Sequence, residues 1–325
     1  MRATRASRTK GPLAIVTPMT PEKTRANQAK EHQAEVALEV RTQLGEGPVW
    51  DERSQRLYFV DIVNQRVHTF WPATGEHRRF DVDRPVGAVV LRDDGGLVLA
   101  AHDTFFVAEH DGDALEPFGD FRADGELVRF NDGKVDPRGR FLAGTMAHAE
   151  DAWLGSLYML EQDGKVTVVL EEVGVSNGLA WSADETTFFY IDTKRNSVDA
   201  FDLDPETGAV SNRRVVAEFS DGSPDGMAID AEGCLWVACW GGHRVERIDP
   251  ADGSRLEVVR VPATNVTSVA FGGPLLDDLY ITTARQGLSE AQLAQEPHAG
   301  DLFVTRPGVS GPPPHRFKTT QGVSA

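Results

Sequence analysis

The sequence predicts an all-β fold, a six-bladed β-propeller built from four-stranded antiparallel blades. Three observations predict it. A polar-led turn followed by two short apolar strands recurs six times along the chain. The anchor residues of the six copies, Trp50, Leu91, Val135, Trp181, Ile229 and Phe271, lie 41 to 48 residues apart, the length of one four-stranded blade. Each copy is followed by turn residues and further alternating segments, such as Val67-His68-Thr69-Phe70 and Pro72-Ala73-Thr74-Gly75. Such period-two alternation between turns is the strand signal. A generic sandwich shares the short strands but does not require one motif at a fixed period.

The elements follow in order. Residues 1–35 read as a basic, disordered tail. Met1 to Lys30 hold seven Lys or Arg against one acid, Glu22, and Pro12, Pro18 and Pro21 interrupt any strand pattern. Such a composition cannot bury a core, so residues 1–34 are expected to be dispensable. The longest apolar stretch there, Leu13 to Val16, is too short for a secretory signal. Residues 36–325 are read as the propeller domain. Val36-Ala37-Leu38-Glu39-Val40 precedes the first copy and has no blade of its own. It is expected to join Asp301-Leu302-Phe303-Val304-Thr305 in the last blade and close the ring, which removes exposed sheet edges.

Composition narrows the function. The chain has 325 residues, 40% of them hydrophobic, and a formal net charge of -17. The acidic balance excludes nucleic acid and anionic membrane surfaces as expected partners, and no apolar run approaches a membrane span. A small-molecule ligand fits, with the chain a monomer or a small homo-oligomer. Cys234 and Cys239 are the only cysteines. Five apart on one predicted strand, they point to opposite faces, which disfavours a disulfide. Two reduced thiols suit a cytoplasmic protein.

In a propeller, the loop entering each innermost strand lies near the axis on one face. Residues at one repeat position therefore converge. Four residues before each anchor stand Glu46, Gly87, Asn131, Asn177, Asp225 and Thr267. Four of the six carry carboxylate or amide oxygens, with no His or Cys. Such a ring describes a hard divalent cation, Ca²⁺ foremost, with Mg²⁺, Mn²⁺ or Zn²⁺ as other occupants. Asn and Asp are also turn formers. Glu46 is not, and the shared register across blades favours the ring.

Two long loops open on the same face. Thr145 to Ser156 contains His148, Glu150, Asp151 and Trp153, and Arg285 to Gly300 contains Ser289-Glu290-Ala291-Gln292, a capping box that predicts a helix start. His148 and His243 are acid-base candidates, although a solvated loop histidine is the commoner outcome. Trp153 suits stacking on a sugar ring or packing on its own blade. Arg129 is two residues from Asn131, so on an extended chain both point to one side.

The motifs Gly45-Glu46-Gly47-Pro48-Val49-Trp50, Arg129-Phe130-Asn131-Asp132-Gly133-Lys134-Val135-Asp136-Pro137, Ala143-Gly144-Thr145-Met146, Ser176-Asn177-Gly178-Leu179 and Pro224-Asp225-Gly226-Met227 together resemble the gluconolactonase/regucalcin (senescence marker protein) family. The resemblance runs in order from about residue 38 to the end. It implies a propeller with one divalent cation in its channel and hydrolysis of aldonolactones such as gluconolactone, arabinonolactone or xylonolactone. By motif, Glu46, Asn177 and Asp225 would hold the metal, Asp225 would also be the acid-base residue, and Arg129 and Asn131 would bind substrate. Asp132, His148 and Glu150 are further candidates. Some members carry a substrate-binding glutamate just after Gly-Thr-Met, where this chain reads Ala147-His148-Ala149, with Glu150 next. A lactone is an ester, so its hydrolysis needs a polarised carbonyl and an activated water. The base is Asp225 or a cation-activated water. The alternatives are a broader esterase or phosphotriesterase, and a non-catalytic calcium-binding propeller.

Overall fold

A computed structural model describes residues 29–109, 112, 115–149 and 152–319. They form six sheets, one per predicted repeat, and each sheet runs from an inner strand at the axis outward. The inner strands are Gly45–Asp51, Val86–Leu91, Val128–Val135, Ser176–Trp181, Ser223–Ile229 and Asn265–Gly272. Each touches the next in ring order, and the sixth touches the first. Their central segments are almost wholly buried and apolar, because blade faces sandwich them from both sides. No helix among the described residues is long and apolar enough to cross a membrane.

Each inner strand pairs antiparallel with its neighbour, and in all six the register shifts at or beside the ring position. The shifts fall between Glu46 and Val49, Val86 and Ala88, Phe130 and Gly133, Asn177 and Leu179, Pro224 and Met227, and Val266 and Ser268. A bulge inserts a residue and re-aims its side chain. Six bulges in common register turn one side chain per blade off the regular pleat. At the second blade that residue is Gly87, and a Cβ there would lie 2.4 Å from the Asn131 carbonyl oxygen. Glycine is what lets blade 3 approach this closely.

The ring closes as the repeats predict. Strand β2 (Glu35–Leu38) is the outermost strand of blade 6, antiparallel to Leu302–Thr305. The predicted tail boundary at residue 35 is corrected. Strand β1 (Lys30–Gln33) lies parallel to Arg255–Arg260 as a fifth strand on blade 5. The sequence Lys-Glu-His-Gln has no apolar alternation. It is held by pairing and by His32 against Glu257 at 2.6 Å, not by burial. Residues 1–28 lie outside the described residues.

Beyond blade 6 the chain runs back across the face opposite the ring. The Ala231 N–H donates to the Ser310 carbonyl and the Gly311 N–H to Leu276, which anchors this strap to blades 5 and 6. Arg316 donates to Asp51 and Glu52 on blade 1, at 2.5 and 2.8 Å. Phe317 is fully buried, and its N–H donates to the Leu91 carbonyl of blade 2 at 2.8 Å. Between these anchors lie Pro312, Pro313 and Pro314. Both cysteines are free and buried.

Candidate active site

Four ring residues converge at the axis. Glu46, Asn131, Asn177 and Asp225 come from blades 1, 3, 4 and 5 and are each at most 6% exposed. Asn131 donates from Nδ2 to Asn177 Oδ1 at 3.0 Å and to the Ser176 carbonyl at 2.8 Å. The Glu46 and Asp225 carboxyls are neighbours close enough to act on each other's protonation. The sixth ring residue faces away: Thr267 donates to the Gly45 carbonyl at 2.5 Å and ties blade 6 to blade 1.

Two buried carboxylates stand opposite the first residues of inner strands, Gly45 and Ser176. Asp61, ending the second strand of blade 1, accepts from the Gln43 and Leu44 N–H groups at 2.9 and 3.1 Å. Asp192, at the same place in blade 4, accepts from Gly174 and Val175 at 3.0 and 2.9 Å. Each holds the loop that delivers a ring residue, Glu46 or Asn177, to the axis.

The electrostatics are those of crowded acids. Burial pushes Glu46 up to about 8, with the Asp132 charge adding to it. Burial, then the neighbouring Glu46, holds Asp225 well above the usual carboxylate range. Asp132 is raised by burial as well, against the pull of Lys134. Arg129 offsets Glu46 in part. Its guanidinium donates to Asn131 Oδ1 at 2.8 Å and to the Phe130 carbonyl at 2.9 Å, so Arg129 and Asn131 do share one side.

This donor set fits a hard divalent cation. It offers two crowded carboxyl groups and the Asn177 amide oxygen, which meets Asn131 within the ring, without sulfur or imidazole. No trio of His, Cys, Asp or Glu side chains among the described residues closes on one point, so the amides are integral to the set. Glu46, Asn177 and Asp225 would hold the ion.

The remaining candidates divide. Asp132 is buried beside the ring and accepts from the Gly133 N–H at 2.7 Å. His148 is exposed at the rim, with Nε2 3.2 Å from the Gly125 carbonyl and its ring 6.3 Å from that of His102. Glu150 lies outside the described residues. Trp153 is exposed beneath the cations of Lys194 and Arg195, at 5.4 and 4.8 Å from its ring. His243 pairs with Thr264 Oγ1 at 3.2 Å. The loop helix α1 (Glu290–Gln295) begins at Ser289 with both capping-box bonds present.

Sequence reasoning missed Thr193. Its hydroxyl accepts from Asn177 Nδ2 at 2.6 Å and donates to the Pro224 carbonyl at 2.8 Å. It thereby links blade 4 to the residue before Asp225. A threonine after a strand-ending aspartate carries no such signal in one dimension.

Fold and site together define a six-bladed propeller with a carboxylate and amide ring suited to a divalent cation at one end of its channel. Residues 44–285 match the SMP-30/Gluconolactonase/LRE-like region, and the chain belongs to this family. It is 43% identical to regucalcin from Gallus gallus over 285 residues, 85% of this chain and 95% of that protein. A solved luciferin-regenerating enzyme is 34% identical with a TM-score of 0.82, covering 88% of this chain and 99% of its own. A solved calcium-binding protein, regucalcin from Agrobacterium tumefaciens, is 28% identical with a TM-score of 0.83, covering 89% and 99%.

Proposed function

We propose that the chain hydrolyses sugar lactones at this ring, with one divalent cation held by Glu46, Asn177 and Asp225. The observation that carries this reading is the buried Glu46 and Asp225 pair, brought from blades 1 and 5 by bulges in shared register. Family membership supports it. A cation bound there supplies Lewis acidity toward the lactone carbonyl. Arg129 and Asn131, joined at 2.8 Å, form one hydrogen-bonding wall for the sugar hydroxyls. Asp225 accepts the proton of the attacking water and returns it to the leaving alkoxide of the opened ring. Oxygen ligands favour Ca²⁺ or Mg²⁺ over softer metals. The free buried thiols support a cytoplasmic setting.

The test is acid release from gluconolactone, arabinonolactone, xylonolactone and a neutral aryl ester, with and without chelator, after subtraction of spontaneous hydrolysis. Chelator-sensitive release from a lactone is expected. A faster aryl ester would move the reading to a general esterase. The relative described as a calcium-binding protein favours a second reading, calcium binding without turnover. Calcium-dependent thermal stabilisation with no release from any ester would establish that one instead.

A further inference from the structure

We propose that the far half of the channel is a second binding site, for a small neutral molecule with an apolar body and one hydrogen-bond-accepting oxygen. On the side of Asp132 away from the ring there is a cavity of about 510 Å³. Ligand sites run from roughly 300 to 1,000 Å³. Its walls come from the later halves of the inner strands and include Val90, Trp181, Ile229, Val269 and Phe271. The proline strap, Pro312 to His315, lies along its outer side. Its lining is thus drawn from every blade and from the strap, and it is mostly apolar, with Ser182, Glu185, Asp230, Ser268 and His315 as polar members away from the inner end.

The inner end is polar and specific. Lys134 reaches from blade 3 to the Met227 carbonyl of blade 5 at 2.5 Å. An ammonium has three donors, and this bond places one of them. Asp132 stands beside it, with Glu46 and Asp225 close behind. Asp132 already stands against the Lys134 ammonium, so this end holds no unanswered cation for an anionic head. A neutral hydroxyl or carbonyl oxygen accepts from Lys134 and needs no counter-charge. Trp50, which also lines the cavity, keeps a buried indole N–H with no partner among the described residues. An apolar body gains by leaving water for such walls.

The site is independent of lactone hydrolysis, and so is its test. The full chain is titrated with 1-octanol and, separately, with octanoate, following melting temperature and tryptophan emission, because Trp50 and Trp181 line the cavity. Saturable stabilisation and an emission change with octanol, at lower concentration than with octanoate, are expected. Ala270→Trp, which fills the cavity from its wall, should remove both responses in a chain with wild-type circular dichroism. Lys134→Met should weaken octanol binding about tenfold, and this variant decides the matter should Ala270→Trp fail to fold. The proposal is overturned by an absent octanol response in the wild type, by octanoate binding as tightly as octanol, or by wild-type octanol affinity in both variants.

Discussion

The Asn177 side-chain amide donates to the Thr193 hydroxyl at 2.6 Å. With Nδ2 held there, Oδ1 is turned to the axis, where Asn131 also meets it. On the proposed reading Thr193 is a positioning residue that sets which end of the amide would face a cation. Thr193→Val keeps the shape and removes the acceptor. Cation affinity, read by thermal-shift titration with Ca²⁺, should fall about 10- to 100-fold, and excess cation should restore lactone hydrolysis. An unchanged affinity would leave Thr193 with a packing role alone.

Asp225→Asn separates ligand from base. Asparagine keeps the volume and one oxygen but cannot take a proton. At saturating cation, kcat should drop by roughly 10²- to 10⁴-fold. Asn177→Ala should instead bind metal more weakly and recover with excess cation. Equal recovery of both variants would make Asp225 a ligand only.

Strand β1 makes a stability prediction that reverses the expectation from sequence. It pairs with Arg255–Arg260, His32 meets Glu257 at 2.6 Å, and Lys30 donates to the Pro307 carbonyl at 3.2 Å. A chain lacking residues 1–34 should therefore melt below one lacking residues 1–28, by roughly 2–4 °C for each kcal/mol lost. Coincident melting curves would show that β1 contributes nothing.

His68 predicts an acid limb. Its ring is buried between Phe59 and His77, at 4.8 and 5.2 Å, with Nδ1 2.9 Å from His77 Nε2. Burial, then the His77 charge, holds it down at about 3. In the unfolded chain histidine titrates near 6.5. Below that pH the unfolded state takes up a proton that the folded state refuses. The contribution is therefore present above about pH 6.5 and is lost as pH falls toward 3, by up to about 1.4 kcal/mol per unit. His68→Phe should flatten melting temperature against pH between 6.5 and 4.5. An unaltered slope would assign the acid limb to other groups.

Much of this architecture was legible because propeller repeats turn sequence register into spatial convergence. Glu46, Asn131, Asn177 and Asp225 could be aligned by counting back from the anchors, and the bulges then bring them together. The alternation of Arg129 and Asn131 placed both on one side. What stayed hidden depends on contacts between segments without periodicity. Thr193 matters only through Asn177 and Pro224. Lys-Glu-His-Gln of β1 pairs through its backbone and shows no alternation. Pro312 to His315 lie outside the repeat, and their place beneath the channel follows from anchors as distant as Leu91 and Leu276.

The two N-terminal strands also set the order in which the molecule can be completed. They leave the ribosome before the six inner strands, yet β1 has no partner until residues 255–260 exist, and Val36 of β2 waits for Phe303. At roughly 5–20 residues per second that wait is about 13 to 53 s. Blades 1 to 4 are each contiguous in the chain and can form as they emerge. The sixth sheet keeps an unpaired outer edge until the oldest part of the chain returns to it. Until residues 265–272 exist the inner strands can form no more than an open arc, since it is this strand that meets Gly45–Asp51 and closes the ring.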